Sequence, residues 1–155
     1  LNTLKDRKGT YLPSDTYDFC QLKDLFGKEQ VGSLPRNAVL ICDSFNRIKV
    51  NKKDVGMPIL YYRASRGDSP GDFTDPNNAQ ARFNYLDNHA LLSLGLPGDP
   101  NQEHPLHRDP HLFYELIQGK QIRKADVPVN ALSFILWSAA DDGLFGTRDD
   151  IIYGK

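Results

Sequence analysis

The chain has 155 residues and a mass of 17.5 kDa. This length is enough for one domain over residues 1–155, with a hydrophobic core that is stable without disulfides or a structural metal. Its 19 Lys and Arg nearly balance 20 Asp and Glu, the formal net charge is −1, and no basic block is present, so nucleic acid is not an expected partner. No stretch approaches the ~18 apolar residues of a membrane-spanning helix. Ten Pro and twelve Gly predict a loop-rich globule.

The first residues resemble the end of a longer helix. The chain starts at Leu1 rather than Met and has no recognisable signal peptide, so we expect a processed or truncated product. Residues 1–8 are charged and lack an N-cap, which is typical of a helix tail, and Gly9 would end it. A second helix is predicted at residues 14–26, where a serine offers an N-cap and the apolar side chains share one face before Gly27.

A run of short strands follows these helices. Residues 38–42 are an apolar run typical of a buried strand, and residues 47–50 alternate between apolar and polar side chains. A polar tip at residues 51–56 separates them from another strand at residues 58–63. The whole segment is therefore predicted to be a β-meander or hairpin.

The second half of the chain alternates loops with short elements. Loops are predicted at residues 65–78 and 98–108, brief helices from Asp87 and from Asp109, and a final strand at residues 132–138. The sum is an α+β fold. In it, a truncated N-terminal helix packs on a small antiparallel sheet that carries loop-rich insertions.

An acidic, glycine-containing loop follows the final strand, and its four aspartates are Asp141, Asp142, Asp149 and Asp150. Four carboxylates so close together repel one another unless a cation or water separates them. Hard oxygen ligands on a tight turn suit calcium, although the spacing is not that of an EF-hand. The alternative is a solvated acidic turn in which the aspartates cap neighbouring backbone.

Two sequence motifs resemble a known family. Residues 134–151, Phe-Ile-Leu-Trp-Ser-Ala-Ala-Asp-Asp-Gly-Leu-Phe-Gly-Thr-Arg-Asp-Asp-Ile, resemble the C-terminal motif Ser-Ala-Gly-Pro-Asp-Gly-x-x-Gly-Thr-x-Asp-Asp-Ile of type II secretion G-type pseudopilins and other prepilin-like proteins. A weaker match joins Asp43-Ser-Phe-Asn-Arg to Pro58-Ile-Leu-Tyr-Tyr-Arg, which resembles the Asp-Pro-Trp-Gly-x-Pro-Tyr-x-Tyr element of pseudopilins with an insert. The element order of the chain resembles the periplasmic head domain of that family.

The resemblance implies a non-enzymatic structural subunit in protein transport. Such a head is periplasmic or otherwise extracytoplasmic, is anchored in the inner membrane by an apolar N-terminal helix, and stacks on other pseudopilin-like subunits in a homo- or hetero-oligomeric fibre. The family's cleavage motif and apolar helix are not within these 155 residues, so the anchor is expected in a segment ahead of Leu1. Residues 65–131 have no counterpart in a G-type pseudopilin.

The resemblance also implies that Ca²⁺ holds the C-terminal loop. Carried over by motif position, the side-chain ligands are Asp142, Asp149 and Asp150, and the carbonyl of Leu144 completes the shell. Asp141 stands where the family has proline, so it either adds a ligand or faces solvent. Chelation is therefore expected to lower thermal stability and to loosen residues 138–151.

A secreted calcium-dependent module that binds carbohydrate or protein is the main alternative. An exposed aromatic stripe could serve either carbohydrate binding or subunit stacking. Tyr61 and Tyr62 point to opposite faces of a regular strand, so one of them is expected at the surface.

A zinc hydrolase is the third possibility. His104, His107 and His111 lie within eight residues beside Asp109, a donor set that could hold zinc with an open position for water. Two prolines deprive the segment of a fixed helical spacing, so a polar surface loop is the favoured interpretation.

The two cysteines, Cys20 and Cys42, can form at most one disulfide. Two cysteines are too few to argue for an oxidising compartment, so a disulfide and two buried free thiols both remain open.

Overall fold

The computed structural model describes residues 18–45, 48–50, 52–65, 82–117 and 134–153. These residues form short helices and small antiparallel sheets, which confirms the α+β class. None of the helices within them is long and apolar enough to cross a membrane. The truncated helix expected at residues 1–8 and nearly all of the loop expected at residues 65–78 lie outside the described ranges.

Seven strands and four α-helices make up the described elements. The strands are β1 (Asp18–Gln21), β2 (Val39–Cys42), β3 (Ile48–Val50), β4 (Lys53–Val55), β5 (Leu60–Arg63), β6 (Phe134–Ser138) and β7 (Ile151–Tyr153). The helices are α1 (Leu22–Phe26), α2 (His89–Leu92), α3 (Pro105–Arg108) and α4 (His111–Ile117), and a 3-10 turn at Tyr85–Asn88 leads into α2.

The helix expected at residues 14–26 is only partly borne out in the residues that the structure describes, and residues 14–17 lie outside them. Within residues 18–26 only Leu22–Phe26 is helical, because the preceding strand β1 pairs antiparallel with β2. The backbone of Leu22 still bonds to the carbonyl of Ala38, 2.9 Å away, so the helix begins against the partner strand. A strand partner distant in sequence outweighs the weak helical propensity of a short segment.

The meander predicted for residues 38–63 is wrong in its pairing. β3 and β4 form a hairpin, so the expected polar tip contains a strand. β5 instead pairs with β6 in a three-stranded sheet of order β5-β6-β7. The backbone of Asp43 nevertheless bonds to the Met57 carbonyl at 2.9 Å, which holds β2 beside the residues that lead into β5.

The main hydrophobic core lies between this three-stranded sheet and the helices. Along β5 and β6 alternate side chains face inward, so Tyr62, Ile135 and Trp137 are fully buried. Phe113 of α4 stacks on Trp137, with ring centroids 5.8 Å apart and an angle of 17° between the rings. Of the strand predicted at residues 132–138, Phe134–Ser138 is confirmed as a strand with buried side chains, and residues 132 and 133 lie outside the described ranges.

The helices of the second half begin where their caps allow. Asn84, rather than the expected Asp87, caps the 3-10 turn by accepting the Leu86 N–H at 2.9 Å. Asp109 accepts the His111 N–H at 3.1 Å, as expected for the start of α4. The loop predicted at residues 98–108 contains α3, which has a proline in its first turn.

Candidate functional site: the acidic C-terminal loop

The C-terminal loop (residues 139–150) joins two adjacent strands of the main sheet. β6 ends at Ser138, which lies opposite Ile151 at the start of β7. The loop must therefore leave the sheet and return to the same edge. Ala140 (φ 47°) and Gly146 (φ 96°) adopt the left-handed backbone that this reversal requires.

Asp150 attaches the end of the loop to the core. Its Oδ2 accepts the Gly146 N–H at 2.6 Å and the indole N–H of Trp137 at 2.7 Å. Burial raises the pKa of this carboxyl from 3.8 to about 6, although those hydrogen bonds oppose the rise. The sequence alone did not indicate that Trp137 would donate a hydrogen bond to Asp150, one of the predicted calcium ligands.

Asp149 closes the two ends of the loop on each other. Its Oδ2 accepts the N–H groups of Asp141 and Asp142, at 3.1 and 3.2 Å. Its Oδ1 accepts the Thr147 hydroxyl at 2.5 Å. The Thr147 hydrogen bond is the main reason that the pKa of Asp149 is lowered.

Three of the predicted calcium ligands converge on the Thr147 hydroxyl. Thr147 Oγ1 lies 2.5 Å from Asp149 Oδ1, 3.2 Å from Asp150 Oδ1 and 3.2 Å from the Leu144 carbonyl oxygen. A hydroxyl has one proton and can donate to only one of these acceptors at a time. Two carboxylate oxygens and a carbonyl therefore crowd round one group, an arrangement that suits a hard cation such as Ca²⁺. Thr147 belongs to the acidic motif but was not among the predicted ligands.

The other two predicted ligands point elsewhere. Asp142 Oδ1 accepts the Leu144 N–H at 2.7 Å, the local turn typical of aspartate in loops. Asp141 is exposed and contributes its N–H to Asp149. The solvated-turn alternative therefore describes part of this loop.

Within the part of the chain that the structure describes, lysine and arginine do little to compensate the charge of the loop. Within the described ranges, none of its four aspartates forms an ion pair with lysine or arginine. Nor does that part of the chain contain three or more His, Cys, Asp and Glu side chains arranged to hold a metal ion. A calcium ion here would need oxygens of other kinds, and the Leu144 carbonyl and the Thr147 hydroxyl are of that type.

The loop is also fixed to α3. Phe145 is buried, its N–H donates to His104 Nδ1 at 3.3 Å, and its carbonyl accepts the Leu106 N–H at 3.0 Å. Gly146 passes so close that a Cβ there would lie 2.7 Å from the Leu106 nitrogen. The loop is therefore part of the packed fold rather than a surface excursion.

The three histidines proposed for zinc have different roles. Both nitrogens of His104 are engaged, one by Phe145 and one by the Gly95 backbone, and the side chain is 1% exposed. The His107 ring lies 5.1 Å from that of His89, while His111 is exposed at the start of α4. His104 therefore hydrogen-bonds the acidic C-terminal loop instead of joining a metal site. Its burial was not expected, because the sequence around it was interpreted as a polar surface loop.

His104 makes the stability of the protein depend on pH. Burial lowers its pKa from 6.5 to about 4, so below pH 6.5 the unfolded chain binds a proton that the folded chain does not. This contribution is complete above pH 6.5 and is lost as the pH falls towards 4, by about 3 kcal/mol in all. His104→Asn keeps an acceptor for the Phe145 N–H without titrating, so its unfolding free energy should fall about 3 kcal/mol less between pH 7 and 4.

Urea denaturation of both proteins at several pH values measures this difference. Asp150 has the opposite effect, because its raised pKa gives a contribution that is lost as the pH rises from about 4 towards 6. It is present in both proteins and cancels in the comparison. Parallel pH profiles for the two proteins would contradict the role assigned to His104.

An aromatic row lies on the outer face of the main sheet. It consists of Tyr61, Phe134 and Tyr153, one from each strand, with successive ring centroids 5.9 and 6.2 Å apart. Tyr61 is 51% exposed and Tyr153 is 62% exposed, whereas Tyr62 is buried. The prediction that one of the two adjacent tyrosines faces solvent is confirmed.

Comparison with known proteins adds no family to this description. No protein-family model matches the chain, and no curated protein or solved structure matches it either. The candidate site is therefore defined by its own geometry, an acidic loop that the core fixes at both ends and whose oxygens gather round Thr147.

Proposed function

We propose that this chain is the extracytoplasmic head of a non-enzymatic, pseudopilin-like subunit of a type II secretion or type IV pilus-like assembly. Its C-terminal loop binds Ca²⁺, and the bound ion stabilises the head. Asp149, Asp150 and the Leu144 carbonyl are the main ligands, Asp142 turns from its local hydrogen bond to join them, and Asp141 faces solvent.

One observation carries the calcium part of the proposal. Two carboxylate oxygens and one carbonyl oxygen lie close to the Thr147 hydroxyl, which has one proton and can satisfy only one of them at a time. Partial negative charge on close oxygens is unfavourable without a cation, and more so for Asp150, whose half-buried carboxyl has less water to screen it. A divalent ion with flexible oxygen coordination would relieve that repulsion.

The position of the loop explains why a structural subunit would use such an ion. Ordering a loop of this length costs roughly 1–2 kcal/mol per residue in backbone entropy. An ion that binds only the folded form offsets part of that cost. The loop contacts the core through the hydrogen bond between Asp150 and Trp137, and it leads directly into β7. Stabilising the loop therefore stabilises the edge of the main sheet.

Calcium is expected to stabilise the protein, and neutralising a ligand should remove the effect. At a dissociation constant of about 10⁻⁴–10⁻³ M, about 10 mM Ca²⁺ raises the unfolding free energy by about 1.4–2.7 kcal/mol. Asp142→Asn keeps an acceptor for the Leu144 N–H but loses the negative charge. Asp149→Asn removes the negative charge of the predicted ligand that accepts the Thr147 hydroxyl. Thermal unfolding with and without Ca²⁺ measures the gain. The fluorescence of Trp137, the sole tryptophan, reports on the neighbouring Asp150.

Asp109→Asn is the matched control, because Asp109 also accepts the N–H two residues on but lies at the start of α4. It should retain the full calcium effect. Protein first shown to be calcium-loaded should melt at a lower temperature in excess EDTA, with faster hydrogen exchange in residues 138–151. An unchanged melting curve in EDTA would refute the calcium site.

The membrane-anchored subunit has its own test, independent of calcium. A pseudopilin-like protein should carry, ahead of Leu1, a short basic segment followed by ~20 apolar residues. The sequence encoded upstream of Leu1 in the natural reading frame shows whether these two segments are present. A cleavable signal peptide directly before Leu1 would count against the anchored subunit.

The aromatic row supports a second candidate function, a secreted calcium-dependent module that binds carbohydrate or protein. Exposed tyrosine rings on a sheet face can stack on a sugar ring or on another protein. The same upstream reading frame separates the two functions, because a cleavable signal peptide favours the secreted module.

A further inference from the structure

The two cysteines of the chain meet between neighbouring strands. Cys20 lies on β1 and Cys42 on β2, and the register pairs Cys20 with Leu40 and Cys42 with Asp18, so the cysteines are diagonal neighbours. Both side chains are buried, at 9% and 6% exposure. Their Sγ atoms lie 3.2 Å apart and share a thiol hydrogen bond.

This distance places the pair within reach of a covalent bond. In a flat antiparallel ladder, diagonal neighbours are about 7–8 Å apart, beyond the Cα separation of up to about 6.8 Å that disulfides usually span. Here the side chains lean towards each other, so the sulfur atoms have only about 1 Å to close to reach the ~2.05 Å of a disulfide bond. Small adjustments of χ1 suffice for a movement of that size.

The two sulfur atoms differ in access. Cys20 lines a surface cavity of about 380 Å³, together with Phe19, Gln21, Lys23, Asp24 and Val39. Cys42 belongs to the smaller hydrophobic cluster, which also includes Cys20, Leu25 and Val55. The hydrogen bond from Cys20, and then burial, raise the pKa of the Cys42 thiol well above its ordinary value. An external reagent therefore meets Cys20 first.

We propose that Cys20 and Cys42 form a disulfide that covalently joins β1 to β2 in an oxidising environment. A small disulfide such as oxidised glutathione is the oxidant. Cys20 loses its proton and attacks one glutathione sulfur, which releases the first glutathione thiolate. Cys42 then loses its proton and attacks Cys20 Sγ, which releases the second thiolate. The two thiolates take up the two protons, so two electrons pass from the protein thiols to glutathione.

The bond would fix the first described strand to the rest of the fold. Cys42 directly precedes Asp43, whose carboxylate accepts the Ser138 hydroxyl of β6 at 2.5 Å and the Met57 N–H at 3.1 Å. A cross-link at Cys42 therefore connects β1 to the strand next to the main sheet. This inference does not depend on calcium or on assembly, so its failure would leave the proposed function untouched.

To test the proposal, the purified full chain is incubated with millimolar oxidised glutathione. Its remaining thiols are then blocked with an alkylating reagent in acid, and the protein is digested with trypsin. The cysteines fall in different tryptic peptides, residues 9–23 and 37–47. We expect these peptides to be joined, with the mass of two hydrogens lost and with the protein monomeric on a non-reducing gel. The melting temperature should rise by about 5–10 °C relative to the reduced protein.

Cys20→Ser and Cys42→Ser should show no rise in melting temperature with the same oxidant. The peptide map uses the unsubstituted protein, so it decides the matter even if a variant folds poorly. Two alkylated cysteines after oxidation, cross-links only between chains, or a stable glutathione adduct at Cys20 would each overturn the proposal.

Discussion

Replacing Gly56 with alanine is expected to destabilise the protein by about 3–5 kcal/mol, from overpacking together with loss of a buried hydrogen bond. A Cβ at Gly56 would overlap Asp43 Oδ1 and would lie 2.5 Å from the Asp43 carbonyl oxygen and 2.7 Å from that of Phe45. The Asp43 carboxylate is buried and accepts hydrogen bonds from Ser138, Met57 and Phe45. It cannot move aside without breaking some of them.

Gly32→Ala is the matched control for this prediction. Gly32 has nothing within 4 Å of its added Cβ, but its φ of +53° costs an alanine about 1 kcal/mol. Urea denaturation gives both unfolding free energies. If the two substitutions cost the same, the close packing of Asp43 against Gly56 is wrong.

Replacing Trp137 with alanine should cost about 3–5 kcal/mol and should also loosen the acidic loop. The ring is fully buried against Phe113 and Tyr62, so its removal leaves a large cavity. Asp150 loses the indole N–H that it accepts at 2.7 Å. We therefore expect faster hydrogen exchange at the Gly146 amide, which bonds to the same carboxylate oxygen.

Two further variants separate packing from hydrogen bonding. Trp137→Phe retains most of the ring volume but not the N–H donor, so it should accelerate exchange at Gly146 with a smaller loss of stability. Tyr61→Ala removes a half-exposed ring from the other face of the sheet and should cost less than about 1 kcal/mol. Equal losses for Trp137→Ala and Tyr61→Ala would contradict the assignment of Trp137 to the core.

Elements with a strong local signal were predictable from sequence. The apolar run of β6 is buried, and Tyr61 and Tyr62 take opposite faces because side chains alternate along a strand. α4 begins after Asp109, whose carboxylate caps it. In each case the information lies within a few adjacent residues.

Elements that depend on distant partners were not predictable. β1 occupies part of a segment expected to be helical because β2, about 20 residues away, supplies its hydrogen bonds. β7 has only three residues and becomes a strand by pairing with β6. His104 follows a polar loop, yet it is buried because Phe145 folds over it.

The same division applies to the acidic loop. Sequence alone determined that four carboxylates and two glycines lie next to a buried strand, since composition and order need no folding. Tertiary structure decided which oxygens meet: Thr147 gathers Leu144, Asp149 and Asp150, while Asp142 turns back to its own backbone. The reason is that side-chain direction in a loop follows from where the loop is fixed, and here Trp137 holds its end at Asp150 while α3 holds its middle at Phe145.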